Sequence, residues 1–117
     1  MSKELTGMDL LNELNDLNRQ LPESIRLMGK YGRDYATYQR DYKKAVAGET
    51  IRLKTDGVPA TLIRDTIYNS EDVLNSMYER DKAEVLYKTS LEHINALKTE
   101  IRVLEELIDK EWANGGN

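Results

Sequence analysis

One histidine, no cysteine and twenty-one side-chain carboxylates are the usual metal ligands and acid–base groups that this 117-residue chain offers. His93 follows Glu92 directly, so on a helix the two point to different faces. A carboxylate-rich metal site favours Glu-x-x-His spacing, but position 90 is Ser90. An ordinary surface histidine is the better reading. Paired catalytic carboxylates need a cleft that gives them unequal environments. Glu105 and Glu106 instead sit on an amphipathic stretch with no sign of a pocket. Without cysteine, neither a thiol nucleophile nor a disulfide scaffold can form. No phosphate loop is present either. The residues point to a protein that is not an enzyme and takes no cofactor or metal.

Two further patterns could meet a ligand. Tyr31, Tyr35, Tyr38 and Tyr42 recur at steps of four, three and four, within an arc of about 60° on a helix. Such a ladder can stack nucleobases. Met28 and Val46 extend the same face, however, which favours a core role. Arg26, Lys30, Arg33, Arg40 and Lys44 fall within about 80° of one another, roughly opposite the tyrosines. A linear basic face can follow a phosphate backbone. Asp34 and Asp41 flank it, and a solvated face is the simpler account. The stretch 56–73 looks faintly like a helix-turn-helix. Its second helix starts Glu71-Asp72, though, where a DNA reader wants basic and amide side chains, so it reads as a plain elbow.

What must position these residues is a set of helices. Seven glycines, two prolines and 32% charged residues suit long exposed helices in one small domain, 1–117. Seven tyrosines and no phenylalanine suggest a thin core whose rings reach its edge. No apolar run of about 18 residues exists for a membrane span, and the first residues lack a signal-peptide segment. The cytoplasm is the expected location. Net charge is −4, yet residues 21–55 alone carry +4.

The first helix is expected over about 7–20, with Leu10, Leu14, Leu17 and Leu21 on one face. Pro22 lacks an amide hydrogen and should interrupt it, opening a second helix over about 22–54. Gly29, Gly32 and Ala36 form a small-residue edge where another helix approaches or the helix bends. Gly57 supplies a helix stop, a short helix follows over 59–68, and Asn69 or Ser70 caps the next. The last helix spans about 70–113. On it Ile94, Leu97, Ile101, Leu104, Ile108 and Trp112 recur in threes and fours. Heptad positions counted back from Ile94 hold Tyr87, Arg80 and Val73, so coiled-coil character is good only from about Tyr87 onward. The stripe needs a partner face, by packing or by self-association. Trp112, ending it, is expected to anchor packing at the hairpin tip or at a subunit contact, whereas an exposed tryptophan there would mark a partner site. The fold class is all-α: a long antiparallel helical hairpin or three-helix bundle, with the first helix as a third strut.

Three stretches carry a resemblance: LLNELNDLNRQLPE at 10–23, RDYATYQRDYKKAVAGETIRLKTDGVPATLIRD at 33–65 and RDKAEVLYKTSLEHINALKTEIRVLEELIDKEW at 80–112. In that order the chain resembles a group of small helical proteins of tailed phages (siphophages) that infect Gram-positive bacteria. The most specific parts are Gly57-Val58-Pro59 and Glu111-Trp112. The resemblance implies an early, replication- or recombination-related setting and no assigned activity, and it transfers no functional residue. The expectation is a non-catalytic binding or scaffolding protein in the host cytoplasm, with a protein partner and as a homodimer. A nucleic-acid partner is not favoured, and no membrane is involved. The alternatives are a DNA- or RNA-binding accessory using the basic face, or an inhibitor of a host protein, including a defence protein.

Overall fold

The computed structural model describes residues 6–115. It contains α1 (Gly7–Thr55), α2 (Ala60–Thr66), a 3-10 turn (Ile67–Asn69) and α3 (Glu71–Gly115). The fold is an all-α antiparallel helical hairpin. Its residues group into two compact units, 6–28 with 89–115 and 29–88.

The start of α1 follows from local chemistry. Thr6 Oγ1 accepts from the Asp9 amide at 3.1 Å, and the Thr6 amide donates to Asp9 Oδ2 at 3.1 Å. This reciprocal box satisfies two amides that a helix start otherwise leaves orphaned. From there α1 runs unbroken through Pro22. The expected break, and with it a separate helix as third strut, does not occur. Proline removes one hydrogen bond to the Asn18 carbonyl. Both residues are exposed, so water can satisfy that carbonyl. Leu17 and Leu21, in the two turns just before it, are both packed in the cluster shared with the facing helix and hold the chain as it enters Pro22. Packing outweighs propensity here.

In the first unit, Leu10, Leu17, Leu97, Leu104 and Ile108 are buried in one cluster, with Leu11, Leu14, Leu21 and Ile101 packed on it. The partner face demanded by the C-terminal stripe is therefore the leucine face of 7–21. Each such burial is worth about 1.5–3 kcal/mol.

In the second unit, α1 ends on a left-handed Gly57 at φ 83°. The Val58 amide donates to the Leu53 carbonyl at 3.0 Å and the Gly57 amide to that of Lys54 at 3.1 Å. This is the paired closure that lets the chain leave a helix, and Leu53 and Val58 pack together beneath it. Leu53, Ile63 and Ile67 form the elbow's core, with Val46 beside them. Ser70 then caps α3: its Oγ accepts from the Val73 amide at 3.4 Å. Val73 is completely buried.

Candidate functional site

The tyrosine ladder and the segment of α3 that faces it build the site. Both lie within residues 29–88. Gly32 explains how the helices meet. A Cβ there would stand 3.0 Å from the Tyr87 ring, so a larger residue would push that ring back by a few tenths of an ångström. The ring of Tyr35 lies 6.1 Å from that of Tyr87, tilted by 34°. Of the small-residue edge, then, Gly32 marks a close approach, while Ala36 is exposed.

Arg80 occupies a seam position where an apolar residue is expected. Its guanidinium stacks 4.2 Å from the centre of the Tyr42 ring, and its Nη2 donates to Asp81 Oδ1 at 2.8 Å. The long stem covers the ring while the charge stays paired. Tyr42 and Tyr68 hydroxyls meet at 3.4 Å, tying α1 to the elbow. That hydrogen bond, then burial, pushes the Tyr42 phenol above its ordinary value. The neutral phenol is thus the form the fold favours. Its contribution is complete below about pH 10 and is lost as pH rises through the raised value. Arg80→Ala should destabilise the protein by about 1–2 kcal/mol, read by chemical denaturation, because it strips the cover from Tyr42.

Not all of the ladder is consumed. Tyr31 and Tyr38 of α1 and Ala83 and Leu86 of α3 line a groove of about 190 Å³, edged by Asp34, Glu79 and Lys82. Lys82 binds Glu79 at 3.3 Å and lies 5.2 Å over the Tyr78 ring. Leu74, Tyr78 and Val85 are also exposed on α3, outside the groove's lining, with Tyr78 joined to its edge through Lys82. Tyr78 is 63% exposed and Val85 65%. The expected core role of the ladder thus holds for Tyr35 and Tyr42, which are partly buried, and not for Tyr38, which stands at the groove's rim. Sequence reasoning missed this surface. The available signal was the number of apolar residues between Leu74 and Leu86, more than one seam can absorb.

The other expected residues fall as follows. Arg26, Lys30, Arg33, Arg40 and Lys44 are all exposed on α1. Arg26 Nε donates to Glu23 Oε2 at 2.9 Å, a bond that holds the Glu23 carboxyl below the usual range. Lys30 lies 3.5 Å from Asp34, and Arg40 lies 3.9 Å from Asp41. Among the described residues Arg33 and Lys44 make no ion pair. His93 is exposed. Ile94, Leu97, Leu104 and Ile108 are buried and Ile101 partly so. Trp112 departs from the expectation of packing at the hairpin tip: within the chain it is 68% exposed. The reason is length. α1 starts level with Glu111, whose Cγ lies 3.5 Å from where a Gly7 Cβ would be, and no described residue of α1 reaches further along the stripe.

Among the described residues no group of three or more His, Asp or Glu side chains is placed to hold a metal, and no helix is long and apolar enough to cross a membrane. No known protein family matches the chain, and no curated protein or solved structure is significantly similar to it.

Proposed function

We propose that this is a non-catalytic phage binding protein that acts in the host cytoplasm by holding a protein partner, beside early replication or recombination proteins. The phage setting rests on the sequence resemblance. The observation that supports a protein partner is the open aromatic surface on residues 29–88. Tyr38 and Leu86 stand exposed at one groove edged by charged side chains, and Tyr78 and Val85 add exposed apolar surface on α3, Tyr78 meeting the groove's edge through Lys82. An apolar patch with a polar rim is what protein interfaces display.

The test is a pull-down from infected host cells, with and without nuclease, using the wild-type chain and Tyr78→Glu with Val85→Glu. The double variant should melt as wild type does, since both residues are exposed, and should lose the partner. Nuclease should change nothing. Retention of the same partner by the double variant would sink the reading. Whether the captured protein is encoded by phage or host separates a scaffold from an inhibitor of a host defence protein.

A second reading has its own support in the five exposed cations of α1, two of them without an ion pair among the described residues. A DNA- or RNA-binding accessory would show affinity that falls steeply with salt and that drops on charge reversal at Arg33 and Arg40. Weak or absent binding is expected, because the chain carries −4 overall and three of the five cations already face carboxylates. A sub-micromolar dissociation constant at physiological salt would promote this reading over the first.

A further inference from the structure

One line of exposed side chains on α3 carries an ordered charge pattern. Asn95, Lys98, Arg102, Glu105, Asp109 and Trp112 follow steps of three, four, three, four and three. At 100° per residue they fall within an arc of about 100°. All six are exposed, on a flank of the helix beside the seam that packs on the leucines of α1. Two cations come first and two anions after. Lys98 with Arg102, and Glu105 with Asp109, are like-charge pairs one turn apart, an arrangement that repels within a helix. Among the described residues none of the four makes an ion pair.

We propose that this line is the contact surface for a second copy of the chain, running antiparallel along it. The pattern is complementary to its own reverse. With a two-fold axis between positions 103 and 104, Arg102 faces Glu105 of the second copy and Lys98 faces its Asp109. The same pairs repeat on the other side of the axis, as an isologous contact requires. Trp112 then stands level with Asn95 of the second copy and covers its half-buried Leu91. A two-fold parallel copy would set Lys98 against Lys98 and Glu105 against Glu105 and is disfavoured by repulsion. A uniformly basic or acidic partner would match only half of the line. The exposed end of the stripe, unexplained by packing within the chain, thereby acquires a neighbour at each end of the contact.

The line from Asn95 to Trp112 is about 27 Å long and the helix about 10 Å wide. That is far below the area of a standard interface, so the dimer is weak and sensitive to salt.

Sedimentation of the full chain over a wide concentration range, at low and high salt, tests this with three variants. Lys98→Glu with Arg102→Glu makes the line wholly acidic. Glu105→Lys with Asp109→Lys makes it wholly basic. The fourfold exchange reverses the pattern and keeps its symmetry. Each double variant alone should dimerise at least roughly tenfold more weakly than wild type. Their equimolar mixture should form heterodimers tighter than the wild-type dimer, and the fourfold variant should recover wild-type association. The fluorescence of Trp112, the sole tryptophan, should move to the blue as dimer forms. Circular dichroism melts of the dilute variants, matching wild type, exclude unfolding as the cause. A wild-type chain monomeric at the highest concentration and lowest salt would overturn the proposal. So would a dimer indifferent to all three variants, or a mixture that does not associate.

Discussion

Leu97→Ala should lower the stability of the chain by about 2–5 kcal/mol, whereas Trp112→Ala should change it by less than about 0.5 kcal/mol. Both residues belong to one stripe read from the sequence, and the contrast between them tests how that stripe is used. Leu97 is 4% exposed in the cluster formed with Leu10, Leu17, Leu104 and Ile108. Truncating it removes buried surface and leaves a void that a two-helix layer fills poorly. Trp112 is 68% exposed, so the fold loses little with it. Thermal or urea unfolding of dilute protein, where self-association is absent, gives both numbers. A loss at Trp112 comparable to that at Leu97 would mean that the tryptophan is packed within the chain.

Pro22→Ala should stabilise the protein by up to about 3 kcal/mol, a rise of more than about 10 °C in the melting temperature. This is the opposite of what most substitutions do. It follows from α1 running through position 22 without a break, since proline there costs a hydrogen bond and alanine restores it. If Pro22 instead opened a second helix at its first position, its fixed φ would suit the site, and alanine would be neutral or harmful. The same melting experiment separates the two arrangements.

The sequence's legible and illegible parts divide on a physical line. Periodicity identifies a face, and local chemistry identifies an end. The reading of 59–68 as a short helix fits α2 and its following turn, because Gly57 and Ser70 act through their own backbone neighbourhoods. The stripe from Ile94 to Ile108 is buried as its spacing required. Pro22 misled because the propensity of one residue is set against packing by leucines whose partners lie some eighty residues away in sequence. Trp112 misled because spacing gives the direction in which a side chain points, while burial depends on where the opposite helix begins. The groove beside Tyr31 and Tyr38 was hidden for a related reason. The four tyrosines share one face by their spacing but not one fate: Tyr35 and Tyr42 meet Tyr87 and Arg80 while Tyr38 finds no such cover. Arg80 shows the converse: a charge in a seam position marks no flaw when an aromatic ring and a neighbouring carboxylate receive it.

The claim that matters most is that the exposed face around the groove of residues 29–88 is where a protein partner sits. Photo-crosslinking reads this directly. A photoreactive phenylalanine analogue replaces Tyr78 in one chain and Leu107 in another, both exposed in the structure. Each is produced in host cells during infection and irradiated. The account predicts a single heterologous protein joined at position 78, resistant to nuclease, and absent at position 107. Crosslinks of equal yield at both positions, or adducts at 78 to nucleic acid alone, would contradict it.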